Sequence, residues 1–188
     1  MMQPHTAQSQ VNVPMGSTEP ADDSPFDSRA FRNALGLFPT GVAVVTTLAP
    51  DQRKVGLTVN SFTSVSLSPP LVSFNLAKSL RSISDWLDAE AFAVNLLRHN
   101  QQLISSDFAR AQADKWANTE HTAGRTSSPI LSSNLASFEC VKFACHEVGD
   151  HYIMIGKVVR FVVAPDAEPL VFYRGTYCRV GQSREGKE

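Results

Sequence analysis

The sequence lacks most of the motifs that mark common enzyme and metal-binding classes. Its 188 residues include only three cysteines and no CxxC pair, so neither a disulfide framework nor a metal site is expected. It contains no GxGxxG, GxxxxGK[ST], GxSxG or HExxH sequence. These absences argue against the common glycine-rich phosphate loops, the serine-hydrolase elbow and the zinc-protease helix.

Charge of either sign is also limited. The formal net charge is −1, and the 17 Lys and Arg residues are scattered, so no nucleic-acid partner is expected. No apolar run is long enough to cross a bilayer, and the N-terminus lacks the pattern of a secretory signal. Cys140 and Cys145 lie five residues apart, which puts them on opposite faces of a regular strand. We therefore expect free thiols and a cytoplasmic protein.

Composition divides the chain into one folded region and two tails. Residues 1–25 are rich in Gln, Ser, Thr, Pro and Asp and contain few large apolar residues. Such a segment buries too little apolar surface to offset its ordering entropy, so we expect it to be disordered. Residues 181–188 are expected to behave in the same way. Residues 26–180 are long enough for one domain with its own core.

Three short helices are predicted. Asp27 is a candidate N-cap for the first helix, which Pro39 would end. The second is predicted over residues 79–89, capped by Ser79, and the third over residues 101–111. The side chains expected to face the core are Ile83, Trp86 and Leu87 on the second helix, and Leu103, Ile104 and Phe108 on the third.

Strand patterns outnumber the helices. Residues 42–48 and 55–59 are predicted to form one hairpin, and residues 136–147 and 151–163 a second hairpin that turns at Gly149-Asp150. The remaining predicted strands cover residues 71–76, 91–97 and 170–173. Since the helices do not alternate with the strands, the pattern favours a mostly antiparallel barrel with helices outside it.

Two polar stretches could carry chemistry. Residues 58–66, TVNSFTSVS, offer six side chains that can form hydrogen bonds. They are either a polar strand edge and turn or a neutral wall for a flat ring such as an isoalloxazine. Residues 78–82, KSLRS, place two hydroxyls and two cations at a predicted helix start. This stretch is either a phosphate site or an ordinary helix cap with solvated charges.

Together, these stretches resemble the flavin reductase family, the small FMN-binding split-barrel reductases that supply reduced flavin to two-component monooxygenases. The resemblance covers nearly all of residues 26–180, with the motifs in the same order. The motifs are FRNALGLFPTGVAVVTT (31–47), GLTVNSFTSVSLSPPLVSF (56–74), KSLRSI (78–83), FAVNLL (92–97), ADKW (113–116), SPILSSNLASFEC (128–140), GDHYIMIGKV (149–158) and LVFYRGTY (170–177). Trp116 stands where phenylalanine is common in the family.

The resemblance implies a mainly β fold with flanking helices, a six-stranded antiparallel split barrel of the FMN-binding type. It implies a homodimer with flavin bound in a groove near the dimer interface. The implied activity is that of an NAD(P)H:flavin oxidoreductase, which transfers hydride from NADH or NADPH to FMN or FAD and supplies a separate monooxygenase. The alternative, from a different class, is a flavin-binding carrier or sensor without free turnover. The choice of flavin, nucleotide and partner stays open.

The resemblance also assigns residues to the site. His151 is the candidate catalytic residue, which would contact the nicotinamide while Asp150 sets its tautomer. The residues implied to contact the isoalloxazine and ribityl chain are Thr58, Asn60, Ser61, Ser64, Val65 and Ser66, with Pro39, Thr40 and Gly41 bordering the flavin. The implied phosphate residues are Ser79, Arg81 and Ser82, with Lys115 within reach of a phosphate, and the implied nicotinamide-nucleotide residues are Tyr173, Arg174 and Gly175.

Overall fold

The computed structural model of the protein describes residues 26–110, 114–164 and 166–181. The predicted tails, 1–25 and 181–188, lie outside these residues except for Gly181. Ala111, at the end of the predicted third helix, and Ala113, at the start of the ADKW motif, also lie outside them. The helices are α1 (Ser28–Leu35), α2 (Ile83–Asp88) and α3 (Gln102–Ala109). The strands are β1 (Thr40–Gly41), β2 (Ala43–Leu48), β3 (Lys54–Val59), β4 (Thr63–Leu67), β5 (Pro70–Ala77), β6 (Ala91–Leu96), β7 (His121–Ala123), β8 (Pro129–Leu131), β9 (Ala136–Val148), β10 (His151–Val163), β11 (Val171–Tyr173) and β12 (Thr176–Cys178).

One antiparallel sheet dominates the molecule. Its seven strands follow the order β3–β2–β6–β9–β10–β5–β4. Among the described residues no ladder joins the edge strands β3 and β4, so the sheet is open. In the connection between β3 and β4, the Oγ of Ser61 accepts a hydrogen bond from the backbone N–H of Asn75 in β5 at 2.9 Å. A smaller sheet, β1–β11–β12, packs beside it.

The mainly β fold with few helices is confirmed, but the main sheet has seven strands rather than six. The additional strand is β4, in the polar stretch whose two sequence interpretations were left open. Thr63–Leu67 pairs with β5 despite its serines, because Thr63, Val65 and Leu67 supply the β-branched and apolar residues that suit an edge strand. The mostly polar residues 119–128 likewise contain a strand, β7, which pairs with β8.

Both predicted hairpins are confirmed. β2 and β3 pair from Ala43 opposite Val59 to Leu48 opposite Lys54. The long β9–β10 hairpin turns at Gly149-Asp150, where Gly149 has a φ of +58° that glycine adopts without a steric cost.

The prediction that Cys140 and Cys145 face opposite sides is wrong. The pairing steps from Ile155 opposite Ala144 to Gly156 opposite Lys142, which leaves Phe143 as the extra residue of a β-bulge. The bulge reverses the alternation, so both cysteines contact the same core. Burial raises the pKa of the Cys140 thiol to about 12. All three cysteines are free.

All three predicted helices are present, but their boundaries differ from the predicted ones. Asp27 caps α1 as predicted, accepting hydrogen bonds from the backbone N–H groups of Arg29 and Ala30. The helix ends at Leu35, before Pro39. The second helix begins at Ile83 rather than Ser79, so Ser79 is not its cap. No helix of the described residues is long and apolar enough to span a membrane.

The main core lies between the sheet and α2. Trp86 and Phe108 are fully buried, as predicted, with Trp86 against Phe74 in the main cluster and Phe108 in a second cluster under α3. Leu103, predicted to face inward, is 80% exposed. The helix packs through Phe108 and Ile104, as predicted, and Gly56 of β3 leaves the space in which the phenyl ring of Phe108 sits.

Candidate functional site

A groove of about 1040 Å³ opens beside the edge strand β3. One wall is formed by residues 52–57, which include most of β3. The opposite wall is Ala77 and residues 79–82, which follow β5. The far end is formed by Ala109, Arg110 and residues 114–116, which follow α3. The groove therefore lies between the edge strand β3 and the turn that follows β5.

The predicted phosphate residues lie in this groove. Ser79, Arg81 and Ser82 line one wall, in the turn before α2. No hydrogen bond or ion pair of their side chains is found within the described part of the chain. With only six residues, α2 is too short for its N-terminus to form an anion-binding site. The remaining donors, two hydroxyls and a guanidinium, are still the groups that a phosphate binds well.

Lys115 lines the same groove from the far end. Its Nζ donates hydrogen bonds to the carbonyl oxygens of Phe108 at 3.0 Å and Gly56 at 3.5 Å. Both partners are neutral, and partial burial lowers the pKa of the ammonium group. The structure thus places a half-buried cation in the groove with no carboxylate partner among the described residues.

The GDHY turn lies next to the phosphate segment. His151 is directly opposite Ala77 in the β10–β5 pairing, and the backbone N–H of Lys78 donates to the carbonyl of Asp150 at 2.9 Å. The Lys78 ammonium forms an ion pair with Glu147 and lies 5.8 Å from the centre of the Tyr152 ring. These contacts fasten two segments that are about seventy residues apart in the sequence.

His151 has one ring nitrogen engaged. Its Nδ1 donates to the Asp150 carboxylate at 2.7 Å, which leaves Nε2 directed away from this contact. The same hydrogen bond is the main reason that the pKa of Asp150 is lowered, with the charge of the imidazole adding to the effect. The pair is exposed, so it fixes the orientation of the ring more than it stabilises the fold.

A second group of predicted residues forms around the small sheet. Thr40 and Gly41 pair with Phe172 and Val171, which brings the Pro39–Gly41 segment beside Tyr173–Gly175. Arg174 has a φ of +49°, a left-handed conformation that is unfavourable for arginine. It is held there by a hydrogen bond from its backbone N–H to the carbonyl of Gly36. Its guanidinium lies 5.3 Å from the centre of the Tyr173 ring.

The polar stretch 58–66 forms a third group, and part of it is used within the fold. The hydroxyl of Thr58 donates to the Ser105 carbonyl at 2.7 Å, and Ser66 accepts from the backbone N–H of Ser68 at 3.2 Å. The side chains of Asn60, Ser64 and Val65 are exposed. None of residues 58–66 lines the groove, although Leu57 immediately before them does. The predicted site is therefore gathered into three groups rather than one pocket.

Sequence reasoning missed two residues that shape the groove. Gly56 must be a glycine, because a Cβ there would lie 2.4 Å from the Phe108 ring. Trp116 lies edge-on to Phe108 at 4.9 Å and donates its indole N–H to the carbonyl of Lys54 at 3.1 Å. A glycine inside a strand pattern was the available signal for the first residue. The second was seen only as a departure from the family pattern.

The comparisons with known proteins identify the family of the chain. The model of the flavin reductase like domain matches residues 35–181. The chain belongs to the flavin reductase family. The matched segment includes every residue assigned to the site from the sequence, and the donor set in the groove is one that fits the phosphate of a flavin nucleotide.

Named relatives in the flavin reductase family cover most of the chain. The FMN reductase (NADH) SmoA of Agrobacterium fabrum is 40% identical over 81% of this chain and 86% of its own length. The stachydrine N-demethylase reductase subunit Stc3 of Rhizobium meliloti is 44% identical over 72% of this chain and 59% of its own length. The chain spans about half the length of the curated relatives it matches first.

A solved structure from the family has the same fold. The NADH:FAD oxidoreductase SgcE6 of Streptomyces globisporus, in complex with NAD and FAD fragments, is 32% identical. The match covers 85% of this chain and 96% of that one, with a TM-score of 0.81.

Proposed function

We propose that this protein is an NAD(P)H-dependent flavin reductase that supplies reduced FMN or FAD to a separate monooxygenase. The observation that carries the proposal is the groove itself. Its phosphate-type donors at Ser79, Arg81 and Ser82 are joined through Lys78 to the turn that holds His151. The proposed flavin-phosphate site and the proposed contact with the nicotinamide therefore lie next to each other.

The flavin and nicotinamide rings supply the hydride chemistry when bound, so no protein nucleophile is required. The task of the chain is to hold the two rings in contact and to keep their orientation, which can remove much of a reaction barrier. Arg81 and the two serines would fix the phosphate end of the flavin. Backbone N–H groups of residues 60–66 would stabilise negative charge that develops on the flavin ring.

His151 would act on the nicotinamide side. With Nδ1 engaged by Asp150, its Nε2 edge is the part of the ring available to a ligand. It would set the position of the nicotinamide by a hydrogen bond or a packing contact. Arg174, held by the Gly36 contact, would pair with a phosphate of the nicotinamide nucleotide, with Tyr173 and Gly175 shaping the turn around it.

We further propose that the protein is a homodimer. The isolated chain exposes a set of large apolar side chains around α1 and on the long hairpin. We call it the outer apolar surface, and its residues are Phe26, Phe31, Leu35, Leu37 and Phe38 around α1, and Val141, Phe143, Val148, Val159, Phe161, Val162 and Val163 on the long hairpin. A second copy would cover it and would bring the segment before β1, which borders the proposed flavin site, into the interface.

The proposed cellular setting is the cytoplasm. Three free cysteines, two of them with a pKa raised by burial, are expected where thiols are kept reduced. The proposed use of a separate monooxygenase agrees with the relative Stc3, which is named as a reductase subunit.

The test is an anaerobic mixture of the purified protein, NADH or NADPH, and FMN or FAD, followed through the loss of flavin absorbance. The wild-type protein should bleach the flavin rapidly. The His151→Ala variant should lower the rate by about 10- to 100-fold, because a misplaced nicotinamide loses the orientation effect.

His146→Ala is the matched control, since His146 is an exposed histidine on the same hairpin and is not among the described residues that line the groove. It should react as fast as the wild type. Equal rates for all three proteins would keep the reductase and remove His151 from its site. Binding of flavin without any bleaching by either nucleotide would contradict the proposed function and favour the carrier or sensor.

A further inference from the structure

The groove continues well past the phosphate segment. Its volume of about 1040 Å³ reaches the upper end of the range for small-molecule pockets, which is about 300–1000 Å³. The flavin ring is assigned to residues 58–66, outside the groove lining, and the flavin phosphate to residues 79–82 on one wall. FMN ends at that phosphate. The far end of the groove would then have no ligand group to contact.

The far end carries positive charge. Arg110 and Lys115 both line it. Arg110 is exposed, and no hydrogen bond or ion pair of its side chain is found in the described part of the chain, while Lys115 is bonded only to two backbone carbonyls. Asp114, the one carboxylate among the described residues that line this end, accepts hydrogen bonds from the backbone N–H groups of Trp116 and Ala117. Both cations are thus left for an anionic ligand.

The far end also carries a fixed aromatic surface. The indole of Trp116 donates a hydrogen bond to the carbonyl of Lys54 and makes T-shaped contacts with the rings of Phe108 and His121, at centroid distances of 4.9 and 5.0 Å. The Lys54 ammonium lies over the indole, 5.4 Å from its centre. A ring fixed in this way loses little entropy when a flat ligand group packs against it. Nucleotide bases bind to proteins largely by such packing on aromatic side chains.

We propose that the far end of the groove binds the adenylate half of FAD, so that the protein selects FAD over FMN. Lys115 and Arg110 would bind the second phosphate, and Trp116 would pack against the adenine. This inference rests on the proposed function, because it starts from the flavin phosphate at Ser79, Arg81 and Ser82. It adds to the proposed function which flavin the reductase uses and which residues select that flavin.

The test is calorimetric titration of the purified protein with FMN and, separately, with FAD, in the absence of nicotinamide nucleotides. The wild type should bind FAD about tenfold or more tightly than FMN, the effect of one charge-assisted hydrogen bond. Lys115→Gln and the exposed Arg110→Gln should each lower FAD affinity and leave FMN affinity within about twofold. Arg81→Gln should weaken both flavins equally, and the control Arg125→Gln, an exposed cation outside the groove, should weaken neither.

Other outcomes separate the inference from the proposed function. Equal affinity of the wild type for both flavins would overturn the inference and keep the reductase. So would an equal loss of FMN and FAD in Lys115→Gln, since the lysine would then hold the phosphate that both flavins share. Unchanged FAD binding in both variants, with a raised KM for NADH, would assign the far end to the nicotinamide dinucleotide and overturn the inference. Failure of both flavins to bind would overturn the proposed function itself.

Discussion

Two helices of equal length differ in how far they are buried in this structure. α3 has eight residues and buries Ser105 and Phe108 against β3. α1 also has eight residues and buries none, although Phe31 and Leu35 lie on one side of it. An amphipathic pattern thus shows that a helix face is suited to burial but does not show what covers it. For α3 the cover is its own sheet, and for α1 we propose the second copy.

The largest expected effect comes from removing the anchor of α3. Phe108→Ala should lower the free energy of unfolding by about 3–5 kcal/mol, because it leaves a cavity where a fully buried ring stood. Chemical denaturation at low protein concentration measures it. Phe31→Ala on α1 is the matched change and should cost about 1 kcal/mol or less there. Equal losses would mean that α1 is packed as firmly as α3 within one chain.

The second prediction concerns α1 and the proposed dimer. The double change Phe31→Ser and Leu35→Ser should raise the dimer dissociation constant by about 100-fold, since each subunit loses two apolar contacts. Sedimentation velocity over a range of concentrations measures it. Leu103→Ser is the control, because Leu103 is an exposed leucine on α3 and should leave the dimer intact. A double variant that remains dimeric would remove α1 from the interface.

The third prediction tests why α3 can approach its sheet so closely. Gly56→Ala should cost about 1–3 kcal/mol of unfolding free energy, because the new Cβ would overlap the Phe108 ring. Thermal unfolding followed by circular dichroism measures the loss. At Gly41, beside α1, a Cβ would meet nothing within 4 Å, so Gly41→Ala should cost little. A harmless Gly56→Ala would show that α3 can shift away from β3.

The smallest expected effect is at the N-cap of α1. Asp27→Ala removes the acceptor for two backbone N–H groups and should cost about 1 kcal/mol of local helix stability. The loss should appear as faster hydrogen exchange confined to residues 28–35, with little change in global stability. Ser82→Ala should do nothing comparable to α2, since the Ser82 side chain makes no cap hydrogen bond. Faster exchange across the whole domain would contradict the loose attachment of α1.

The sequence was a good guide where local chemistry decides the structure. Asp27 as a cap, the turn at Gly149-Asp150 and the burial of Trp86 follow from short-range preferences that the fold keeps. It was a poor guide where tertiary contacts decide. The start of α2 at Ile83 depends on the path of the preceding turn. The exposure of Leu103 depends on how α3 lies over Gly56, although Ile104 and Phe108 face the core as predicted.

The same division holds for the site. The phosphate residues and Lys115 share one groove, and the turn of His151 adjoins it, in line with the family resemblance. The roles assigned to these residues and to the other two groups stay predictions, which the flavin-reduction and flavin-binding experiments test. The bulge at Phe143 could not be foreseen, since no residue type requires it.

The hydrogen bonds from Lys115 and Trp116 have a consequence unrelated to ligands. β3 is an edge strand, and the outward carbonyls of such a strand can pair with a strand from another molecule. The indole N–H occupies the carbonyl of Lys54, and the Lys115 ammonium occupies that of Gly56. The side chains that line the end of the groove therefore also block two β3 carbonyls from pairing with another molecule, which disfavours aggregation through this edge.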